Sequence, residues 1–241
     1  MSSLEAHLRR QTEHSRNFFW HRLRWLAVAS HLPTGRPFRL LDMGAGAGLL
    51  GVFLQRDFPE ATYMFVEPIE SLRQYLESSY GLSANAGSLT SFTGVEYVAL
   101  LDVLEHQSDD RGFLNELIGR MAEGAMLIIT VPALMRLWSG WDVALGHRRR
   151  YDRAGLRRAI DGLPVQIIEM SYLFPEMIPL ALLRQRLRPA SPNGQPASES
   201  AAFPDLPRLL NDGLYAVGRG SLALRRYAPT GSSLLAVLRK T

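Results

Sequence analysis

The sequence predicts an α/β domain built on a mostly parallel sheet with helices on both faces. Three observations carry that expectation. Short apolar runs alternate along the chain with segments of helical periodicity, the order that strand-helix-strand units produce. The runs are continuously apolar, as parallel strands buried on both faces must be. The first of them also ends in a cluster of glycines just before a helical segment, which in this architecture is where a ligand is received.

The elements follow in order. Residues 4–30 read as a helix, with Phe19, Leu23 and Leu26 at i, i+4 and i+7 and arginines on its other faces. Pro33, Gly35 and Pro37 then break the chain ahead of a buried strand, Phe38 to Asp42. Leu49 to Arg56 is a helix closed by Asp57 and Pro59. Ala61 to Glu67 reads as the second strand, Ile69 to Ser78 as a helix and Val95 to Leu101 as the third strand. Asp109 to Met121 is helical, with Asp109 or Asp110 as its cap. Ala125 to Val131 is a strand stopped by Pro132, Ala154 to Ile160 a helix, and Val165 to Leu173 a further strand. Ser233 to Arg239 is the last one.

The stretch 175–230 has a different character. Two amphipathic segments, Met177 to Arg188 and Leu206 to Arg226, flank a Pro-, Ser-, Ala- and Asn-rich loop near 190–202. The expected organisation is a helical cover over 1–36, a binding core over 37–174, a helical insertion or lid over 175–230, and the last core strand over 231–241.

Composition narrows the function classes. Hydrophobic residues make up 46% of the 241 and charged residues 21%, which suits a folded domain with a full core. There is no cysteine, so disulfides and thiol chemistry are excluded, in keeping with a reducing cytoplasm. The longest apolar run, Ala125 to Met135, is interrupted by Pro132 and is too short to span a bilayer. Glu5, His7, Arg9 and Arg10 deny the N-terminus the apolar centre of a secretory signal. The formal charge is +4. Its excess lies in residues 175–241, with nine basic and four acidic side chains. No dense basic stripe with interleaved aromatics occurs, so nucleic acid is not an expected partner. Met177 to Arg188 pairs an apolar stretch with Arg184, Arg186 and Arg188, a composition open to a lid helix or to peripheral contact with an anionic inner-membrane surface.

The glycine turn admits two cofactors. Gly46-Ala47-Gly48-Leu49-Leu50-Gly51 satisfies GxGxxG, and Glu67 lies 21 residues beyond Gly46, close to a dinucleotide fingerprint. Asp42 argues the other way. A carboxylate two residues before Gly44 would repel a pyrophosphate, whereas it complements a cofactor end carrying an ammonium and a sulfonium. Glu67 accepts ribose hydroxyls in either case. An NAD(P)-dependent oxidoreductase is therefore the alternative enzyme, and a non-catalytic membrane- or partner-binding protein is the alternative outside enzymes.

Further motifs carry a family resemblance. Asp42-x-Gly44-x-Gly46-x-Gly48 resembles motif I of the class I S-adenosylmethionine-dependent methyltransferases, and Glu67 their acid at the end of strand two. Ala86-Gly87-Ser88-Leu89 is similar to the loop that closes on adenine, and Leu101-Asp102-Val103-Leu104-Glu105-His106 to the D-V-L-E-H signature. Leu137-Trp138-Ser139, Asp142 and Gly146-His147-Arg148-Arg149-Arg150-Tyr151 resemble the LWS…D…GHxRRY string of a bacterial subgroup found beside sugar, lipid and polyketide-type biosynthesis genes. Phe19 to Arg24 is similar to that subgroup's N-terminal helix. The resemblance covers nearly the whole chain and is weakest between residues 185 and 225. It implies a Rossmann-like sheet of seven strands with an antiparallel last strand, S-adenosyl-L-methionine as cofactor, and methylation, at oxygen, of a small molecule or of a carrier- or lipid-linked intermediate. It also implies a cofactor site of Asp42, Gly44, Ala45, Gly46, Gly48, Glu67, Pro68, Gly87, Ser88, Leu89, Asp102, Val103 and His106, with Arg24 reaching the cofactor carboxylate.

Transfer from a sulfonium needs mainly alignment, and an oxygen acceptor gains from a general base. No metal is required. His147 is the candidate base because its ordinary pKa suits proton removal near neutrality, with Asp142 and Tyr151 beside it in the motif. An ordering role for His147 on Asp142, packing for Tyr151, and helix capping for Glu105 compete with these readings. One or two of Arg148, Arg149, Arg150 and Arg153 are candidates to hold an acidic group of the acceptor. Trp138 and Trp141 are candidates for its apolar wall.

Overall fold

In the computed structural model, which describes residues 15–87, 90–187 and 206–241, six strands form one sheet in the order β2-β1-β3-β4-β6-β5. They are β1 (Arg39–Met43), β2 (Thr62–Val66), β3 (Tyr97–Leu101), β4 (Met126–Pro132), β5 (Val165–Leu173) and β6 (Ser233–Lys240). The first four pair in parallel, and β6 runs antiparallel between β4 and β5. Reversal at β6 lets the chain return from the insertion and enter the sheet between two strands already laid down.

The sheet is one strand short of the seven expected from the resemblance. At the edge beside β2, where a seventh would pair, there is a single isolated parallel bridge, Phe65 to Asn85. The chain reaches it from Gly81, at φ +89°, through the 3-10 turn Leu82–Ala84. Ala86 N–H donates to Phe65 O, and no ladder continues among the described residues. Ser88 and Leu89 lie outside the described residues.

Alternation along each strand divides the core into two layers. Leu41, Val98, Leu100, Leu127 and Ile129 face α4 (Asp110–Arg120) and α6 (Arg153–Ile160). Leu40, Phe65, Ala99, Ile128 and Val237 face the other way. There they meet α1 (Phe19–Ala29), α2 (Leu49–Asp57), α3 (Glu70–Tyr80) and α8 (Arg208–Ala223). Both layers are fully buried at their centres, so the strands read as continuously apolar because each face has a helical cover. The 3.6-residue period is clearest in the helices that cover them: α1 buries Phe19, Leu23 and Ala27 at i, i+4 and i+8.

Local chemistry sets several boundaries. Asp109 caps α4, its carboxylate accepting from Gly112 N–H at 2.8 Å. Asp152 does the same for α6 through Gly155 N–H at 2.6 Å. A short helix absent from the expected elements, α5 (Gly140–Leu145), starts with a capping box in which Ser139 and Asp142 satisfy one another's backbone N–H groups. The first expected helix is described only from Ser15, and its regular part begins at Phe19. The insertion contributes α7 (Ile178–Leu187) and α8, while the loop near 190–202 lies outside the described residues. Among the described residues no helix is long and apolar enough to cross a membrane.

Candidate functional site

The C-terminal ends of the parallel strands, where open α/β sheets bind ligands, carry half of the left-handed backbone positions among the described residues. Gly44, Gly46 and Gly48 follow β1 with φ of +76°, +57° and +76°. Three non-glycine residues also occupy the left-handed region, Asp102 after β3, Leu134 after β4 and Phe174 after β5. Such conformations cost of order 1–3 kcal/mol each and persist where the surroundings impose them, commonly at binding sites.

The glycine turn is hooked onto the next strand. Gly44 and Ala45 N–H donate to Val66 O at 2.8 and 3.2 Å, and Gly46 N–H donates to Glu67 Oε2 at 2.7 Å. Glu67 Oε1 accepts from Ile69 N–H at 2.8 Å. The carboxylate is buried, and burial raises its pKa while those two N–H groups pull it down. Each oxygen keeps a lone pair for a further donor, as two ribose hydroxyls would require. Pro68 is exposed beside it. Gly44 also has no room for a side chain, since a Cβ there would lie 2.7 Å from Val103 Cγ2. Thus Val103, in the D-V-L-E-H segment, packs directly on the turn.

Asp42 lies beneath that turn, 3% exposed, and accepts from Tyr63 Oη at 2.9 Å. Desolvation pushes its pKa up to about 7, against the opposing pull of Tyr63 and of the Arg24 charge. A buried carboxylate so raised lacks full cationic compensation. An ammonium or sulfonium fits that deficit, and a second anion does not. Arg24 reaches over from α1 to pair with Asp102, which Thr130 Oγ1 also contacts at 3.2 Å. The helical cover, the glycine turn and the end of β3 therefore converge, with Arg24 engaged by Asp102. Gly87, across the β2 edge, is exposed, its N–H held by Asn85 Oδ1 at 2.9 Å.

One turn past Val103 a second group assembles from two distant segments. Arg148 N–H donates to Glu105 O at 2.9 Å and Arg148 Nε to His106 O at 3.0 Å. Arg149 Nη2 donates to Gln107 O and Ser108 O at 3.0 and 2.8 Å. These bonds bring the His106 and His147 rings edge to face, with centroids 4.9 Å apart. His147 Nδ1 lies 2.9 Å from Asp142 Oδ1, and its Nε2 lies 3.8 Å from Glu105 Oε1. Asp142 is fully buried and also accepts from Ser139 N–H and from Arg150 Nε and Nη2. Burial raises its pKa, but His147 and Arg150 more than reverse the effect, so it stays a carboxylate. His106 donates Nδ1–H toward Gly146 O at 3.3 Å; burial and the neighbouring imidazole lower its pKa.

Other expected roles are placed differently. Tyr151 is buried, and its hydroxyl donates to Asp110 Oδ2 at 2.8 Å and approaches Leu104 O at 3.4 Å, so it clamps α4 to the start of the 3-10 turn Leu104–His106. Asp142 is a positioning residue behind His147. Arg149 and Arg150 are spent on Asp110 and Asp142, Arg148 on the His106 carbonyl, and Arg153 on Ala228 O. Glu105 caps no helix, since Asp109 holds that position in α4. It is wholly buried, and neither carboxylate oxygen has a hydrogen-bond partner. Burial and the Asp102 charge hold its pKa well above the ordinary range. Sequence reasoning missed its place in the site, because a buried Glu without a partner looks in sequence like one that caps a helix.

No protein-family model matches the sequence, and no curated protein matches it either. Solved structures do. A chain of the complex between the Haloferax volcanii Trm112 methyltransferase activator and a methyltransferase aligns with a TM-score of 0.63 at 13% identity, over 100% of this chain and 98% of its own. The plantazolicin methyltransferase BpumL, in complex with a monoazolic desmethylPZN analog and SAH, aligns with a TM-score of 0.55 at 12% identity, over 96% and 87%. The [4+2]-cyclase SpnF gives 0.56 at 14%, over 91% and 80%. At these identities the likeness is one of fold: this chain has the Rossmann-like fold of the class I methyltransferases. The cyclase shows that this fold alone does not select a reaction.

Proposed function

We propose that this chain is an S-adenosylmethionine-dependent methyltransferase that methylates an oxygen of a small-molecule or carrier- or lipid-linked biosynthetic intermediate. The observation that carries the reading is the undercompensated carboxylate of Asp42 beneath a turn of three left-handed glycines, with Glu67 at the end of the adjacent strand. When bound, S-adenosylmethionine supplies a methyl carbon on a sulfonium, already activated for displacement. Asp42 balances the positive end of such a ligand, Glu67 receives its ribose, and Arg24, held by Asp102, closes α1 over its carboxylate. His106 and Val103 line the same side.

The acceptor comes from the side of α5 and residues 146–151. An acceptor hydroxyl taking that methyl group would have to lose its proton. His147 Nε2 is the basic atom on that face, because Asp142 holds Nδ1–H and leaves the ring's other nitrogen, which faces Glu105, to take a proton. Half-buried Trp138 and Trp141 supply apolar surface nearby.

Calorimetry with S-adenosylhomocysteine and with NADH tests the cofactor. Binding of the thioether, weakened at least tenfold by Asp42→Ala and by Glu67→Ala, is expected. Binding of NADH alone, or affinity for the thioether indifferent to both substitutions, would overturn the reading in favour of an oxidoreductase or a misplaced site. Incorporation of labelled methyl into host extracts then identifies the acceptor.

A further inference from the structure

We infer that Glu105, His106 and His147 form a binding site for a divalent first-row transition metal ion on the acceptor side of the pocket. The inference rests on the acceptor-side placement of His147 proposed above, and it departs from the expectation that no metal takes part. One ligand atom from each of the three lies within 4.8 Å of the others. Two imidazoles and one carboxylate are a donor set that suits such ions and leaves positions open for further ligands.

The surroundings of the three side chains are those of ligands. A metal-bound histidine donates its remaining N–H to a carboxylate or carbonyl, which fixes the tautomer and the ring. Both rings already do this. His147 Nδ1–H is held by Asp142 at 2.9 Å, and His106 Nδ1–H points to Gly146 O at 3.3 Å. Each acceptor is an oxygen without a proton of its own, so in the neutral ring the lone pair falls on Nε2. Asp142 is in turn fixed by Arg150 and Ser139, and the Arg148 bonds lock the two backbone segments together.

Glu105 is the independent observation. A wholly buried carboxylate with neither oxygen hydrogen-bonded is costly, and in this structure it faces the His147 Nε2 at 3.8 Å. A cation between them meets that cost. Metal–ligand bonds of about 2.0–2.2 Å place donors of one ion roughly 3–3.5 Å apart, so a pair at the 4.8 Å limit must close by roughly 1.3–1.8 Å, a movement within the reach of side chains. The carboxylate closes the base of the site, and the two histidines are less deeply buried than it is. An ion there would act as a Lewis acid toward an acceptor oxygen. His147 would then serve as ligand, and the acceptor proton would leave to solvent instead of to the ring.

The test uses the full chain stripped with chelator, with Co2+ as a spectroscopic probe and Zn2+ titrated by calorimetry. One equivalent of Co2+ should bind with visible ligand-field bands. His106→Ala and His147→Ala should each weaken it at least tenfold, and Asp142→Asn, which loosens the hold on His147 Nδ1 together with that on Arg150, by about 10- to 100-fold. Glu105→Gln should do likewise; should that variant fail to fold, the histidine variants decide. S-adenosylhomocysteine affinity is measured on each protein in parallel. Co2+ binding lost in both histidine variants, with the thioether still bound by His147→Ala, supports the site. Absence of Co2+ binding, or binding indifferent to both histidines, overturns it and leaves the methyltransferase reading standing. Co2+ binding without thioether binding supports the metal site and sinks the cofactor assignment instead.

Discussion

Asp42 is the residue whose state depends most on its setting. Its pKa rises to about 7 through burial, so the folded protein holds that proton more tightly than the unfolded chain does. Its contribution to stability is therefore complete at pH below the ordinary carboxylate range and is lost as pH rises toward 7. Asp42→Asn keeps the acceptor for Tyr63 and removes the ionisation. We expect it to be more stable than the parent at pH 8, by on the order of 2–4 kcal/mol, with the difference closing near pH 4. Urea denaturation at the two pH values measures this, and a variant no more stable at pH 8 would refute the assigned cause. The turn above Asp42 was legible because three glycines and two acids announce themselves in sequence. Glu105 was not, since its lack of a partner is a property of the folded surroundings. The contact between His106 and His147 was equally hidden, because only the crossing of two loops brings the rings together.

At the scale of elements, the strands were the most legible, since burial on both faces leaves a continuous apolar run that tolerates little else. Their observed ends lie within two residues of the expected ones, and Val165–Leu173 matches at both, the small differences arising because hydrogen-bonded ladders stop where the chain turns, not where polarity changes. The helix α5 was missed for a different reason. Six residues are too few to show a period, although Ser139-x-x-Asp142 carries its capping signal. Asp142 was weighed for catalysis, and it serves at once as cap, as partner of Arg150 and as support for His147. Gly231 is a second element-scale feature without a pattern. A Cβ there would lie 2.2 Å from Leu173 O, where β5 ends and the chain returns to β6. The obstruction is backbone and cannot rotate away. Gly231→Ala should destabilise by about 1–3 kcal/mol, visible as a lower denaturation midpoint with an unchanged slope; a midpoint equal to the parent's would show that the two strands can part without cost.

At the scale of the molecule, Glu169 ties together three parts of the chain that lie far apart in sequence. It is buried in β5 and meets His31 beyond α1, Ser171, and Arg225 beyond α8. Burial raises its pKa, but hydrogen bonds from His31, Arg225 and Ser171 outweigh that and hold it well below the ordinary range. The sign is opposite to that of Asp42: this contribution is present above the ordinary carboxylate range and is lost as pH falls below it. Glu169→Gln should lower stability at pH 7 by about 2–4 kcal/mol, since it leaves Arg225 partly buried without its charge partner. The deficit should shrink as the parent is acidified below pH 4. Thermal denaturation across that range checks it, and a deficit independent of pH would mean that packing, not charge, joins these parts. The strand count was overestimated because the resemblance supplied seven, whereas the apolar runs of the chain number six.

The antiparallel entry of β6 has a consequence for how such a molecule can diversify. Leu173 and Ser233 are paired neighbours, so the insertion leaves the sheet and rejoins it at almost one point, pinched where Gly231 meets Leu173. A segment whose two ends share an anchor can be lengthened, shortened or exchanged while the strands beneath keep their register, because the entropic cost of loop closure grows only slowly with length. The glycine turn and the two histidines stand on the other side of that anchor. Lineages sharing this scaffold are thus free to trade one insertion for another as a cassette, with the strands and the glycine turn held constant.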